Sequence, residues 1–475
     1  MNRNTILIGG LMLSGLANAA VTQRDASPVG PVSVAETPQF VLLSFDDNNS
    51  SAGLDFVTQL LATRTNPAGN DIFAGQPLTA TFFNTCGPSR TNATVISQWQ
   101  ELAKQGHEIA NHTETHPYDI VNGNATQHWM TEAEWLDELT TCQTFLNQLY
   151  KDAGVDNQVV GFRTPHLQYS DYTFKAMVAN GIRYDSSVPA GVYWPEDGTN
   201  NVWPHTLHAG SPSQNKAAQD GWKSPISNYD TLWEVPMHTL IVPADDIIGQ
   251  YGINYSLRDK IAQRISYFDK TVGKADNMDF NMYFTTAWSA ASLNADEVLA
   301  IYKYNLDLHL EGNRSPLAIG LHSAYYGLEN GQENPYTPES TVASRQKTLE
   351  AFVDYALTKH NVRFVTHQQL LQWMDADIGT TPPVDPPVDP EPPVDPPVDP
   401  EPPVDPEPPV DPEPPVDPKP PVDACTVAPW DTTKIYVGGD QASLDNKLWQ
   451  AKWWTTATTP TTTEWGPWKL VGDCV

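Results

Sequence analysis

Residues 40–47 read Phe-Val-Leu-Leu-Ser-Phe-Asp-Asp, a short apolar run that ends in two adjacent carboxylates. Four consecutive apolar residues are typical of a strand that is buried on both faces. Successive side chains of a strand point to opposite faces, so Asp46 and Asp47 can reach one site only if the strand ends and turns there. The run predicts a buried strand, and by itself it leaves open whether the carboxylates form a site or start a solvated loop.

Apolar runs of strand length alternate with amphipathic segments through the region before residue 381. We predict further strands at residues 78–83, 108–110, 158–162, 182–184, 317–321 and 362–365, and helices at 54–61, 95–105, 132–150, 172–180 and 341–360. Repeated strand–helix pairs favour a parallel sheet, closed or open. Polar residues follow several of these strands, and α/β barrels place their active sites at the carboxyl ends of strands. We therefore expect an α/β fold with its site at that edge.

The chain of 475 residues is strongly acidic, since 57 Asp and Glu against 27 Lys and Arg give a net charge of −30. Such a charge repels a phosphate backbone, so we expect no nucleic-acid partner. Hydrophobic residues make up 40 % of the chain, which is enough for a sizeable core. Beyond the first positions, no apolar run approaches the ~20 residues of a spanning helix. We expect a monomer that makes no membrane contact.

The first 19 residues have the pattern of a secretory signal peptide. Arg3 gives a positive start, residues 6–16 form a short apolar core, and residues 17–19 form a small-x-small cleavage site. A membrane anchor is the alternative, but the apolar stretch is short for one and no stop-transfer charges follow it. We therefore expect a mature chain that starts at Ala20, is secreted and is extracellular.

A proline-rich segment divides the rest of the chain. Residues 381–423 hold 21 of the 42 prolines and twelve Asp and Glu, in repeated Pro-Pro-Val-Asp-Pro units. This composition cannot bury a core, and each proline fixes φ and removes a donor, so we predict an extended, charge-stiffened spacer. The predicted parts are a signal peptide (1–19), a large domain (20–380), a linker (381–423) and a small domain rich in tryptophan (424–475).

Four cysteines in an exported chain suggest two disulfides, among three possible pairings. Cys86 and Cys142 precede the linker, whereas Cys425 and Cys474 follow it. Pairing Cys86 with Cys142 and Cys425 with Cys474 is the choice that keeps each bridge inside one domain. We predict these two bridges.

Further polar clusters in the large domain resemble components of a metal site. Residues 112–116 read His-Thr-Glu-Thr-His, a spacing that lets two imidazoles converge on a transition metal. Residues 163–166 read Arg-Thr-Pro-His, and His322 follows another predicted strand. Each cluster alone also fits surface or packed residues. Together, one Asp and two His form a three-ligand set with a position open for water, which is typical of a catalytic metal.

In this order, the motifs resemble those of the polysaccharide deacetylase family, the NodB-homology fold of carbohydrate esterase family 4, and are most similar to its chitin deacetylase branch. The matching stretches are 44–47 (like TFDD), 112–116 (like HSxxH), 163–166 (like RxPY, with His166 in place of Tyr), 184–187, 233–236 and His322. The resemblance spans about residues 39–373. It implies a distorted (β/α) barrel of NodB type.

The resemblance also implies a role for each matching residue. A divalent metal ion, with Zn²⁺ the expected one, would be bound by Asp47, His112 and His116. The implied catalytic residues are Asp46 as general base, Arg163 orienting Asp46, His322 as general acid and Asp185 tuning His322. On the substrate side, the backbone N–H of His166 would hold the oxyanion and Trp233 would wall the site.

Residues 424–475 resemble the small chitin-binding domains of carbohydrate-binding families 5 and 12, through residues 429–430, 436–440, 451–455 and 465–468. The resemblance implies a small all-β module. Six tryptophans and Tyr436 exceed what so small a core can hold, and exposed rings are flat platforms for pyranose faces. The alternative is that all of them build the core. We predict Tyr436, Trp453 and Trp454 as carbohydrate-binding residues; the last two are adjacent, so one should face outward.

These features predict a secreted, metal-dependent chitin or chitooligosaccharide N-deacetylase. It would hydrolyse the N-acetyl group of N-acetylglucosamine units to give glucosamine and acetate. The alternatives are a peptidoglycan N-deacetylase or an acetyl-xylan esterase on the same fold, or a catalytically inactive chitin-binding protein. The chitin-type module favours chitin, and the intact set of Asp and His residues favours an enzyme.

Overall fold

The computed structural model describes residues 34, 36–118, 120–122, 127–192, 196–220, 226–328, 331–374, 427–432, 434–436, 441–451, 455–456, 459–461 and 468–473. Residues 1–390 and 391–475 form two compact units. The predicted signal peptide (1–19) and linker (381–423) lie outside the described residues and stay predictions, as do the domain boundaries. Among the described residues, no helix has the length and apolar character that a membrane span requires.

Strands and helices alternate along most of the first unit. Its strands are β1 (Gln39–Asp47), β2 (Thr81–Asn84), β3 (Glu108–Asn111), β4 (Ile120–Asn122), β5 (Gln127–Trp129), β6 (Gly161–Phe162), β7 (Tyr184–Asp185), β8 (Pro189–Ala190), β9 (His205–Leu207), β10 (Tyr229–Glu234), β11 (Met237–His238), β12 (Leu240–Ile241), β13 (Lys274–Ala275), β14 (Leu317–His322) and β15 (Val362–Phe364). Its α-helices are α1 (Ser51–Ala62), α2 (Cys86–Ser89), α3 (Ala93–Lys104), α4 (Glu132–Ala153), α5 (Asp171–Ala179), α6 (Pro212–Asp220), α7 (Leu257–Ala262), α8 (Asp279–Tyr283), α9 (Ala295–Glu311), α10 (Val342–Leu357) and α11 (His367–Trp373). Short 3-10 helices lie at Pro165–Leu167, Ile248–Tyr251, Thr286–Trp288 and Ser323–Tyr326.

Nine of the described strands join in one sheet, in the order β14-β1-β2-β3-β6-β7-β10-β9, with β15 paired to the start of β1. Its pairings are parallel except for the antiparallel contact of β9 with β10. The sheet curls into a half-barrel, consistent with the NodB (β/α) barrel. The predicted α/β fold is confirmed.

Strand β1 is buried along nearly its whole length, as its apolar run predicts. Val41, Leu43 and Phe45 pack in a core cluster that includes residues of α1, α3 and α4. Phe40 and Leu42 point into a second cluster, which includes residues of α11. Because apolar side chains cover both faces, β1 takes a central place in the sheet, and its carboxyl end is held firmly.

Local signals fix the longest helix beside the site. Thr131 and Glu134 form a capping box at the start of α4, and Gly154 ends it with a φ of 71°. A disulfide joins Cys86 of α2 to Cys142 of α4, which confirms the first predicted bridge. The second predicted bridge, between Cys425 and Cys474, lies outside the described residues.

The described part of the second unit is made of short strands. They are β16 (Ile435–Tyr436), β17 (Gln441–Leu444), β18 (Lys447–Ala451), β19 (Thr455–Thr456) and β20 (Trp468–Asp473). The strands β17, β18 and β20 form an antiparallel sheet, and β16 pairs with β19.

A small aromatic core lies in this second unit, and it corrects one prediction. Tyr436 is 1 % exposed, packs edge-on against Trp468 and accepts a hydrogen bond from the backbone N–H of Asp431. Its ring builds the core with Trp449 and cannot be an exposed sugar platform. Trp453 and Trp454 lie outside the described residues, so their predicted role stays a prediction.

Candidate active site

Most of the predicted site residues of the first unit meet because neighbouring parallel strands end at one edge of the sheet. In the strand register, Asp46 lies beside His322 of β14 on one side and beside Phe83 of β2 on the other. The next strands, β3 and β6, end immediately before His112 and Arg163. Clusters that are far apart in the sequence are therefore neighbours in space, as the strand-end argument predicts.

Asp47, His112 and His116 form a triad whose ligand atoms all lie within 4.8 Å of one another. The Oδ1 atom of Asp47 is 4.0 Å from Nε2 of His112 and 3.6 Å from Nε2 of His116. Nδ1 of His112 contacts the carbonyl oxygen of Arg163 at 2.7 Å, which fixes the ring and leaves Nε2 facing the triad. Thr85 donates a hydrogen bond of 2.9 Å to Asp47 Oδ1. This donor set fits one divalent cation.

The protonation states of Asp47 and His116 also suit a cation, since metal ligands must be deprotonated. Burial raises the pKa of Asp47, but the nearby histidines His112, His322 and His116 outweigh it and hold the pKa below its usual value. Burial lowers the pKa of His116 to about 4, and the neighbouring His112 adds to this effect. Asp47 is thus ionised and His116 neutral near neutral pH.

Left-handed backbone turns point these ligands toward one another. Asp47 has a φ of 65° and His116 a φ of 59°, backbone angles that residues other than glycine rarely adopt. Each such residue costs on the order of 1 kcal/mol, and strain of this kind concentrates at functional sites. The chain therefore turns at Asp47, at the end of β1. Asp46 and Asp47 can reach one site only if the strand turns there.

Asp46 is held by Arg163, which is fully buried. The Nη1 atom of Arg163 donates to Asp46 Oδ1 at 2.7 Å and to Ser44 Oγ at 3.0 Å, and its guanidinium lies over the ring of Phe83. The second carboxylate oxygen, Oδ2, lies 4.0 Å from Nε2 of His112 and therefore faces the triad. One oxygen of Asp46 is oriented by Arg163 while the other is available to a reactant.

The acidic partner of His322 is Asp279, at the start of α8. Its Oδ1 lies 2.7 Å from His322 Nδ1, and its Oδ2 accepts a 2.8 Å bond from the His322 backbone N–H. Burial lowers the pKa of His322, but the charge and hydrogen bond of Asp279 outweigh it and raise the pKa to about 9. A divalent cation nearby would lower this value, because like charges repel.

The prediction that Asp185 tunes His322 is therefore wrong. Asp185 is fully buried and accepts a hydrogen bond from Ser187 at 2.5 Å. Asp279 could not be identified from the sequence, because the stretch Met-Asp-Phe that contains it matches no catalytic motif.

Residues 33–184 match the family model described as "Polysaccharide deacetylase". Within this stretch, the chain is similar to that family. It is similar to "Chitin deacetylase 1" of Bombyx mori, at 25 % identity over 353 residues, which are 73 % of this chain and 52 % of that protein. It is also similar to "Chitin deacetylase 8" of Bombyx mori, at 26 % identity over 218 residues, 44 % of this chain and 51 % of that protein.

The chain thus spans about half the length of these two relatives. Among solved structures, it is similar to the Xyl-CE4 domain of a multidomain xylanase from the hindgut metagenome of Trinervitermes trinervoides. That likeness has a TM-score of 0.34 and 13 % identity, and covers 71 % of this chain and 92 % of that one.

The triad lies in a pocket of 480 Å³. Aromatic side chains line this pocket beside the polar residues, among them Tyr118, Phe280 and Tyr325. Tyr325 stacks on His322 with the ring centroids 4.8 Å apart. Trp233 is not among the lining residues: it is 4 % exposed and packs in the second core cluster, which corrects the prediction that it walls the site.

His166 also lines this pocket. Its ring stacks face to face on Tyr118 with centroids 3.9 Å apart, and meets His116 edge-on at 4.6 Å. Its backbone has a φ of 56°. Burial lowers the pKa of His166 to about 3, so the ring is neutral at physiological pH. The His–Tyr pair therefore forms one wall of the pocket and packs against His116 of the triad.

Proposed function

We propose that this chain is a secreted, metal-dependent N-deacetylase acting on chitin or chitooligosaccharides. The observation that carries the proposal is the meeting of three arrangements in one pocket. They are the triad of Asp47, His112 and His116, the Asp46–Arg163 pair and the His322–Asp279 pair. A single site then holds a cation position, a general base and a general acid, which together suffice for hydrolysis of an acetyl group.

The geometry suggests how the residues divide the work. A divalent cation held by the triad, when bound, lowers the pKa of water and polarises the acetyl carbonyl. Asp46 takes one proton from the attacking water, because Arg163 fixes its other oxygen. The water oxygen forms a bond to the acetyl carbon, and the carbon–nitrogen bond breaks. His322, protonated and held by Asp279, gives its proton to the leaving amine.

The remaining chain groups orient the substrate. The backbone N–H of His166 lies in a left-handed turn at the pocket wall, and we assign it to the oxyanion. Tyr118 and Tyr325 also line the pocket, and aromatic rings suit the apolar faces of sugar units. Chitin is favoured over other acetylated polymers by the two chitin deacetylases among the relatives and by the tryptophan-rich C-terminal sequence.

The substrate is tested by measuring acetate release from chitin oligomers, peptidoglycan fragments and acetyl-xylan side by side. We expect the largest kcat/KM on chitin oligomers, with glucosamine units detected by mass spectrometry. The same protein treated with a chelator serves as the control and should be inactive until Zn²⁺ is restored. Preference for peptidoglycan or xylan would overturn the chitin assignment, and no release from any of the three would favour an inactive binding protein.

The C-terminal unit is proposed to hold the enzyme on solid chitin, through residues 424–475 on the linker 381–423. Deleting residues 381–475 should leave kcat/KM on soluble oligomers within about twofold, since a tethered module acts by effective concentration. Retention on chitin beads and turnover of solid chitin should fall at least tenfold by the same principle. Trp453→Ala or Trp454→Ala, whichever ring faces out, should reproduce the loss. A truncated enzyme that binds beads as well as the full chain would reject this role.

A further inference from the structure

Two buried carboxyl groups lie beneath the catalytic edge and are not used by the mechanism above. Asp185 of β7 and Glu234 of β10 are both fully buried and sit side by side in the parallel strand register. The two side chains are coupled, and each has one buried oxygen, Asp185 Oδ2 and Glu234 Oε2, that meets no donor. Because two ionised carboxylates are both acceptors, a hydrogen bond between these oxygens requires one shared proton.

Each carboxyl group has one oxygen committed to the surrounding chain. Asp185 Oδ1 accepts from Ser187 at 2.5 Å, and Glu234 Oε1 accepts from the Val188 backbone at 3.2 Å. The other oxygens, Oδ2 and Oε2, meet no other donor. A proton shared between the two carboxyl groups would satisfy both oxygens, which are otherwise costly to bury.

The pair connects directly to the segment that carries Arg163 and His166. Ser187, whose hydroxyl donates to Asp185, accepts a 2.8 Å hydrogen bond from the Thr164 backbone N–H. Between them, Ser186 accepts from Arg163 through both its carbonyl and its hydroxyl, each at 3.0 Å. The carboxyl pair thus fixes residues 185–187, and these hold the catalytic turn.

We propose that Asp185 and Glu234 are positioning residues: as a carboxylic acid–carboxylate pair, they orient Ser187 and hold the turn of residues 163–166 in its reactive geometry.

The surrounding charges are consistent with a single shared proton. Burial raises the pKa of Glu234 well above its usual value, and the charge of Asp185 raises it further, against the opposing effect of Arg163. Burial raises the pKa of Asp185 to about 6. His205 lies opposite Glu234 on β9, but its ring nitrogens contact Trp203 and Ser213. Both shifts favour a pair that keeps one proton between its two carboxyl groups.

Variants at Glu234 test the proposal. Glu234→Gln keeps a donor for Asp185 and an acceptor for Val188, so kcat should stay within about threefold. Glu234→Ala should lower kcat by about 10- to 100-fold, the size expected for misplaced catalytic groups, with KM and metal content unchanged. Ser187→Ala should lower kcat by a similar factor. The double variant, Glu234→Ala with Ser187→Ala, should have a kcat little lower than either single variant, because both residues act through the same hydrogen bonds to the turn. Glu297→Ala, which removes a buried carboxylate paired with Lys260, is the control for lost stability alone.

The kinetic test rests on the proposed deacetylase function. Two further readouts do not depend on that function. Infrared spectra of protein with ¹³C-labelled carboxyl groups should contain a protonated carboxyl band at pH 7 that disappears in Glu234→Gln. Crystal structures should place residues 164–166 as in the wild type in Glu234→Gln, but displaced in Glu234→Ala. The proposal is overturned if the band is absent or if Glu234→Ala leaves the turn in place. If the wild type releases no acetate, the proposed function fails while these two readouts still decide the role of the pair.

Discussion

His112→Ala is expected to remove the bound metal and more than about 10³-fold of the activity, because electrostatic stabilisation of the reacting oxygen alone is worth 10²–10³. In the proposed metal site His112 contributes Nε2, and its ring is oriented by the Arg163 carbonyl, so its loss leaves the triad with two members. Metal analysis of the purified protein and acetate release measure the two effects.

The matched control is His360→Ala, which removes an exposed histidine after α10 and should keep both metal and activity. His112 is 2 % exposed, so its truncation leaves a cavity, and thermal melting must show that the variant still folds. If it does not, His116→Ala tests the same ligand set at a side chain that is 28 % exposed. A folded variant with full metal content and normal turnover would disprove the triad.

Asp46→Asn should retain the metal and lose activity by about 10²–10⁴, the usual contribution of a general base. The amide keeps the shape of the carboxylate and an oxygen for Arg163, but it cannot accept a proton from water. Asp47→Asn should lose both metal and activity, because Asp47 is the anionic member of the triad.

The two neighbouring aspartates act as controls for each other, since both substitutions remove one negative charge at the same strand end. The measurements are metal content and kcat for both variants at the same pH. Equal loss of metal in the two variants, or normal turnover by Asp46→Asn, would reject the division between ligand and base.

Much of the fold and of the site could be predicted because the decisive residues are close together within short motifs. The apolar run before Asp46 indicated a strand buried on both faces, and the His-Thr-Glu-Thr-His spacing indicated convergent imidazoles. Among the bridges, the pairing of Cys86 with Cys142 followed from the position of the linker. These signals are local, so a linear reading can detect them.

What could not be predicted depends on contacts between distant segments. Asp279 reaches His322 only because α8 packs beside the end of β14, and nothing in its flanking sequence indicates this. Trp233 was expected to line the pocket. It faces the core instead, because side chains alternate between the two faces along β10. Helix α9 was also not predicted. The structure shows that the stretch before β14 contains this long helix.

The central place of β1 has a consequence for the order in which the chain can fold. The first strand of the sheet pairs with β14, so Val41 must meet Leu317 and Asp46 must meet His322. Closing so long a loop is entropically costly and slow, and it requires that most of the chain has been made. Until β14 arrives, one edge of β1 is unpaired and apolar, a template for association with another chain. Catalytic competence is thus among the last properties the folding chain acquires, and a polypeptide shortened before β14 would be prone to aggregate rather than simply be inactive.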